Sequence, residues 1–259
     1  NELGRMARKD KERYLKIFDA YARYIKQGLV VDPSDNDKIK DLLFFTSTLD
    51  DDGETMHSLA DYVERMVENQ TDIYYVMADD FHSARRSPHL DAFRARGIEV
   101  LYFTDPVDAA MLMGLDAYKD HALRNVDEAD IDLTDIGELQ EDDETPVKEA
   151  LPEDAFDTLQ ERFKAVLGER VRDVRGGTGM VGSAARLVSD DAGTNRNMFR
   201  INRLLDREFE MPVKILELNP RHPLVHNLNT MNQHNAGNGM IDAVIEQVFE
   251  TALLQDGIH

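Results

Sequence analysis

Residues 58–76 read SLADYVERMVENQTDIYYV. Ser58 stands three positions before Asp61, and this spacing is typical of a capping box, in which each side chain accepts a hydrogen bond from the other residue's backbone N–H. The run at residues 73–77 consists of β-prone residues without alternation, which is typical of a strand covered on both faces. The stretch therefore predicts a capped helix that leads into a buried strand.

The flanking segments continue this alternation of helix and strand. An opening helix over residues 14–25 carries one apolar face and is expected to end at Gly28. Residues 90–97 have the pattern of a helix ended by a glycine, and residues 98–103 that of the next strand. Helices between strands connect them by right-handed crossovers into a parallel sheet. Residues 1–126 thus predict an α/β unit, a parallel-sheet αβα sandwich.

Charge is distributed unevenly along the 259 residues. The net charge is −21, and residues 127–154 alone hold 13 acidic residues against one basic residue, Lys148. We expect this segment to be an exposed acidic connector. A chain this acidic is repelled by nucleic acid and by anionic membrane surfaces, so neither is expected as a partner.

The chain contains no cysteine and no apolar run near the ~18 residues that span a bilayer. The lack of cysteine excludes disulfides and thiolate metal sites and is typical of a reducing compartment, so we expect a cytoplasmic location. The chain opens on Asn1 rather than Met, which indicates a fragment of a longer protein.

Residues 155–259 predict a second unit of α+β type. A helix over residues 156–167 precedes a strand at 171–175, and residues 184–188 are the expected partner strand. A long helix over residues 240–254 follows, with an apolar face wider than one neighbouring helix needs. Such a face predicts packing between two copies of the chain about a two-fold axis.

Two patterns resemble ligand sites. Residues 177–182 read GTGMVG, a literal G-x-G-x-x-G, which would make the chain an NAD(P)-dependent oxidoreductase if a nucleotide-binding βαβ unit surrounded it. The alternative, a glycine-rich hairpin, is favoured because no such unit is apparent. His222 and His226 stand one helical turn apart, but two imidazoles are an incomplete metal site, and a capping or surface role is favoured. No cofactor, metal or catalytic residue is therefore predicted for this chain.

Residues 197–205 mix apolar side chains with Asn and Arg. They either pack in the core, which is the usual case, or form an exposed adhesive helix. Methionine in this stretch would suit contacts with varied partners, because its thioether side chain is flexible.

Several further strings extend the first one into a family resemblance. They are SPHL at 87–90, TDPVD at 104–108, LNPRHPLV at 218–225 and ETALL at 250–254. With residues 58–76 they resemble the ninety-kilodalton heat-shock chaperone family, including its bacterial HtpG type, over essentially the whole chain.

The resemblance implies a fragment of an ATP-dependent molecular chaperone. Residues 1–126 would be the small subdomain of its middle domain, 127–154 the acidic connector, and 155–259 its C-terminal dimerisation domain. The family's ATP-binding domain lies upstream, so ATP and Mg²⁺ are expected for the parent protein and no ATP hydrolysis for this fragment. The expected partners are unfolded or partly folded client proteins and a second copy of the chain.

The resemblance also implies which residues make these contacts. In the helix after TDPVD, bacterial relatives can carry Trp where this chain has Ala110, and nearby methionines could substitute for it. The expected client-binding residues are Met198, Phe199, Ile201, Leu204, Leu205, Met111 and Met113. The expected dimer-interface residues are Ile241, Val244, Ile245, Val248, Phe249, Ala252 and Leu253. Relatives continue past His259 into a final helix, so an incomplete dimer bundle is expected.

Overall fold

The computed structural model of the chain describes residues 2–31, 36–138, 149–180, 182–189, 213–234, 237 and 239–256. Among these residues, no helix combines the length and the apolar character needed to cross a membrane.

Three helices open the described chain: α1 (Glu2–Lys9), α2 (Lys11–Val31) and α3 (Asn36–Lys40). Helix α2 packs Tyr14 and Phe18 against Phe44 in a small aromatic cluster. The prediction that this helix ends at Gly28 is wrong, since α2 continues past it. A Cβ at Gly28 would come within 3.2 Å of Ile39 on α3, so the glycine serves a close helix contact.

The predicted capping box is present. Strand β1 (Phe44–Phe45) pairs antiparallel with β2 (His57–Ser58), and helix α4 (Leu59–Glu64) begins directly after β2. The N–H of Asp61 donates to Oγ of Ser58 at 3.1 Å, and the N–H of Ser58 donates to Oδ2 of Asp61 at 3.1 Å. Two backbone donors at the start of α4 are thereby satisfied.

Tyr62 ties α4 to the sheet that follows. Its hydroxyl donates to the carbonyl of Glu99 at 2.7 Å and accepts from the N–H of Tyr74 at 3.0 Å. Burial raises the pKa of this hydroxyl, so it stays a protonated donor across the physiological range.

The first sheet has the strand order β4–β3–β6–β5. Its strands are β3 (Ile73–Met77), β4 (Val100–Phe103), β5 (Ala117–Tyr118) and β6 (His121–Asn125). Strand β3 runs parallel to both β4 and β6, as predicted. Strands β5 and β6 are antiparallel, so the sheet is mixed rather than wholly parallel. The turn at residues 119–120 allows only an antiparallel pair, because a parallel connection needs a long crossover.

Both faces of β3 are buried. Tyr75 and Met77 belong to a cluster that also holds residues of α2, α4 and α7 (Asp108–Met111). Tyr74 and Val76 belong to a second cluster with residues of α5 (Phe81–Arg85) and α6 (Asp91–Arg94). Alternate side chains of a strand point to opposite faces, so these two clusters explain the apolar run without alternation.

Residues 90–97, predicted as one helix, are more irregular. A 3₁₀ turn (Pro88–Leu90) leads into α6, and a closing turn ends at Gly97. The φ of Gly97 is 64°, in the left-handed region where a helix C-terminus favours glycine. The terminating residue was therefore predicted correctly and the length of the helix was not.

The second sheet has the order β7–β9–β8, with β7 (Asp173–Gly176), β8 (Ala185–Val188) and β9 (Ile215–Leu218). The predicted direct pairing of residues 171–175 with 184–188 is wrong. Strand β9 lies between them, parallel to β7 and antiparallel to β8. All four residues of β9 are buried, which fits the central position.

Three helices complete the second unit: α8 (Glu153–Leu167), α9 (Pro223–His234) and α10 (Gly239–Gln255). Helices α8 and α10 contact the sheet, and α9 packs on both of them. Phe163, Leu216 and Ile245 are fully buried in the common core. Part of the predicted connector packs against the first unit instead of projecting from it. Leu133 is buried there, and the N–H of Gly137 donates to the carbonyl of Glu68 at 3.1 Å.

Candidate client-contact and dimer surfaces

The helix expected to bind clients falls in residues 190–212, outside the described residues. The sites predicted there are Met198, Phe199, Ile201, Leu204 and Leu205. They remain predictions from the resemblance.

The two methionines near α7 have opposite environments. Met111 is fully buried in the core beneath β3 and β4, whereas Met113 exposes 61% of its surface. A side chain with no accessible surface cannot contact a client without unfolding, so the expectation for Met111 is withdrawn and Met113 is kept.

The turn that presents Met113 is held tightly against α2. A Cβ at Gly114 would lie 2.4 Å from the carbonyl oxygen of Leu29, so only glycine fits at this close approach. On α2, one helical turn before Leu29, the ammonium of Lys26 pairs with the carboxylate of Asp108 at 2.6 Å. These two contacts fix the position of the exposed methionine.

The predicted dimer face of α10 points into its own chain. Ile241, Ile245, Val248, Phe249 and Ala252 are buried against α8, α9 and β8, and Val244 and Leu253 are partly buried at the edge of the same core. Five of the seven predicted interface residues thus complete the core of their own chain. Val244 and Leu253 keep accessible surface, and a role in contact with a second copy stays a prediction.

The outward face of α10 carries a different set of residues. Met240 and Leu254 are each 62% exposed, at the two ends of the helix. Between them, Ala243, Gln247 and Thr251 are also exposed at helical spacing. The helix is thus apolar on its inner side and partly apolar on its outer side, which accounts for the unusual width of the apolar pattern. In the sequence, the apolar residues Met240 and Leu254 are what indicates this outer face.

Two ion pairs link α10 to α8 and to the turn that follows α8. Arg162 contacts the carboxylate of Asp242 at 2.6 Å, and Arg170 makes a two-pronged contact with Glu246 at 2.6 and 2.8 Å. The hydrogen bonds from Arg170 lower the pKa of Glu246. The orientation of α10 about its own axis is therefore set by charge as well as by packing.

A buried lysine joins the end of α10 to the first sheet. Lys214, directly before β9, pairs with Asp256 after the last turn of α10, and its Nζ lies 3.6 Å from a carboxylate oxygen of Asp127 after β6. His89 lies 3.9 Å from Asp256 on the other side. We call these four residues the Lys214 joint.

Backbone hydrogen bonds reinforce the Lys214 joint. The N–H of Ser189 donates to the carbonyl of Asp127 at 2.9 Å, and the N–H of Ala129 donates to the carbonyl of Ser189 at 2.8 Å. A cleft of about 280 Å³ lies beside the joint, at the carboxyl end of β3. The two sheets are therefore connected by main chain and by buried charge.

Comparison with known proteins identifies the family. The family model described as "Hsp90 protein" matches residues 2–259. The chain belongs to the Hsp90 family.

Named relatives agree with this assignment. The "Chaperone protein HtpG" of Geobacter sulfurreducens is 35% identical over 255 residues, which cover 98% of this chain and 39% of the relative. The protein of that name from Oleidesulfovibrio alaskensis is 34% identical over 259 residues, covering 98% and 40%, and that from Aromatoleum aromaticum is 37% identical over 248 residues, covering 96% and 37%. The chain thus spans about two-fifths of the length of these relatives.

In this Hsp90-family chain, the G-x-G-x-x-G string forms neither a nucleotide loop nor a hairpin. Residues 177–180 follow β7 and Gly182 precedes β8, two strands that β9 separates, so the string does not connect the paired strands of a hairpin. A Cβ at Gly177 would lie 2.4 Å from Sδ of Met180, and one at Gly179 would lie 2.7 Å from Cβ of Ala92 on α6. The glycines serve close packing, and the oxidoreductase alternative is not supported.

The histidine pair has a local role. Nδ1 of His222 accepts a hydrogen bond from the N–H of Leu224 at 3.1 Å, in the first turn of α9, as the capping interpretation predicted. Burial lowers the pKa of His222, which favours the neutral form that can accept this bond. Within the described ranges, no group of three or more His, Cys, Asp or Glu residues is arranged to hold a metal ion.

Proposed function

We propose that this chain contributes client binding and homodimerisation to an ATP-driven molecular chaperone. The observation that carries the proposal is the Hsp90 family match over residues 2–259, with relatives named as chaperone proteins. We further propose that the chain itself hydrolyses no ATP, since in the family the ATP-binding domain lies upstream of the region it resembles. ATP and Mg²⁺ would then act on the parent protein, in the cytoplasm.

Client contact is assigned to Met113 and to the segment over residues 198–205, which the sequence predicts to be helical. Met113 supports this role because it is exposed on a turn that α2 holds in place, so it presents apolar surface without a large loss of chain entropy on binding. The flexible thioether can adapt to clients of different sequence.

Dimerisation is assigned to the outward face of α10. Two-fold packing of α10 on its copy would bury Met240 and Leu254 from both chains and leave Gln247 near the centre of the seam. Fully burying such a side chain contributes roughly 1.5–3 kcal/mol, and Met240 and Leu254 are already partly covered, so four of them contribute less than this sum. Because association itself costs about 4–15 kcal/mol, the expected dimer is weak.

The client proposal is tested with a labelled, permanently unfolded protein, for example a reduced and carboxymethylated one. Fluorescence anisotropy should show saturable binding to the chain, weakened about threefold to tenfold by Met113→Asp, since a charge must then lose its hydration in the contact. Leu49→Asp is the matched control, because Leu49 is 51% exposed in a different loop. Equal loss in both variants would show a general charge effect and contradict the assignment of Met113.

The second client segment is tested by Met198→Ser combined with Leu205→Ser. The proposal expects weaker client binding with an unchanged circular dichroism spectrum. Unchanged affinity would remove this segment from the contact surface.

A further inference from the structure

A basic concavity lies between α1 and α3, away from both surfaces assigned above. Its volume is about 310 Å³, and it is lined by Gly4, Arg5, Arg8, Lys9, Lys38 and Asp41. Four of these six residues are cationic, in a chain whose net charge is −21. The concavity is therefore a positively charged patch on a chain that is otherwise strongly negative.

The helices around the concavity are also rich in basic residues. Residues 2–31 hold eight basic and four acidic residues. On α1, Arg5 and Lys9 stand four positions apart, and so lie on one side of the helix about 6 Å apart along its axis. The cations form a ladder along the helix rather than converging on one point.

The ion pairs already present are weak competitors for a ligand. Arg5 contacts Glu2 at 2.6 Å, but both side chains are largely exposed, and Arg8 reaches Asp41 only at 3.3 Å. Exposed pairs of this kind contribute little stability. Each guanidinium can therefore exchange its carboxylate for one from a ligand at small cost.

Gly4 forms an open floor beneath these cations. Its backbone is buried, yet among the described residues a Cβ placed on it would meet no atom within 4 Å beyond its chain neighbours and the backbone of its own helix. A glycine inside a helix lowers helix stability relative to alanine, and no crowding explains it here. Its effect is to leave room for another chain against the helix.

We infer that this concavity binds an extended, carboxylate-rich segment of a partner protein. The planar guanidinium binds carboxylates with two parallel hydrogen bonds, and the ladder spacing matches successive acidic side chains on an extended peptide. A single phosphate ion would instead need converging, desolvated donors, which a row of exposed side chains does not supply. The acidic remainder of the chain repels such a segment, so this patch also fixes where it binds.

The test measures binding of a fluorescein-labelled polyglutamate peptide at about 50 mM NaCl, where screening is limited. Arg5→Glu combined with Lys9→Glu should weaken binding at least about tenfold. Lys16→Glu combined with Arg23→Glu makes the same charge change on α2, outside the concavity, and should change affinity less than about twofold. Equal losses in the two double variants would overturn the inference.

Gly4→Leu tests the shape of the site at constant charge. It fills the floor while improving helix propensity, and should weaken peptide binding about fivefold with an unchanged or higher melting temperature. Full affinity in this variant would overturn the inference. So would displacement of the peptide by inorganic phosphate at an ionic strength where chloride has no effect, because the site would then be a simple ion site. The milder pair Arg5→Gln and Lys9→Gln should give an intermediate loss if folding of the reversed variant is impaired.

Discussion

The ammonium of Lys26 lies 2.6 Å from the carboxylate of Asp108, and both side chains are buried. This pair joins α2 to α7 directly beneath the turn that exposes Met113. Burial raises the pKa of Asp108, while the charge of Lys26 opposes that rise. The carboxylate therefore depends on its partner, and the position of the candidate client contact depends on the pair.

Removing the ammonium of Lys26 should lower the free energy of unfolding. Lys26→Met leaves a buried carboxylate uncompensated, and breaking a buried ion pair in this way costs about 3–5 kcal/mol. The free energy of unfolding, measured by urea titration, should fall by this amount. Adding Asp108→Asn should restore at least half of the loss, because the neutral amide needs no counter-charge. A single variant within about 1 kcal/mol of the original chain would show that water already reaches the pair.

The capping box should stabilise the folded chain more at neutral pH than in acid. Burial raises the pKa of Asp61, but the hydrogen bond from Ser58 and the charge of Lys11 outweigh it, so the folded pKa lies below the ordinary 3.8. A lowered carboxyl pKa stabilises the fold above the unfolded value and loses that contribution as the pH falls through the folded value. Asp61→Asn should therefore destabilise the chain at pH near 6, with the difference shrinking once the pH falls below the ordinary carboxyl pKa of 3.8.

Ser58→Ala is the companion variant. It should cost about 1 kcal/mol, since an N-cap oxygen is lost, and the cost should depend less on pH than that of Asp61→Asn. Thermal unfolding of all three proteins across the pH range checks both statements. A constant difference between the original chain and Asp61→Asn would rule out the ionised cap.

The two faces of α10 should respond differently to charge. Phe249→Asp places a carboxylate in the core of the second unit and should unfold it, with loss of helical circular dichroism. Met240→Asp combined with Leu254→Asp should leave the spectrum unchanged and shift the molar mass from light scattering towards the monomer.

Val31→Asp serves as the control for that comparison, because Val31 is 81% exposed on α2. It should affect neither folding nor molar mass. If the outward pair of substitutions left the dimer intact, the seam would have to lie elsewhere on the chain.

The Lys214 joint should limit opening between the two sheets. Lys214→Met leaves Asp127 and Asp256 facing each other without their shared cation, so the C-terminal turn of α10 should detach more often. Amide hydrogen exchange should rise at residues 252–256 and at residues 127–129, while exchange within β3 stays slow. Exchange that rises only in α10 would show that the joint does not couple the two sheets.

Local rules accounted for the elements around residues 58–76. The Ser58 cap and the left-handed Gly97 depend on residues three or four apart, so the sequence contains the whole signal. The burial of β3 on both faces also follows from its composition.

Other features depend on distant contacts and could not be predicted from neighbouring residues. The insertion of β9 between β7 and β8 pairs strands about 30 to 40 residues apart. The inner face of α10 is set by α8 and β8, so periodicity revealed an apolar helix face but not the elements of its own chain that bury it. Met111 ends α7 and Met113 lies in the turn after it, which the contact between Gly114 and Leu29 holds against α2.

The Lys214 joint gives α10 the geometry of a lever. The helix is about 25 Å long, with Met240 and Leu254 exposed on its outward face and its C-terminal end held to the first sheet by Lys214. If a partner tilted α10, the helix would therefore rotate about its C-terminal end, where Lys214 holds it. We expect the displacement to reach β6 through Asp127 and not to be absorbed in a loose linker.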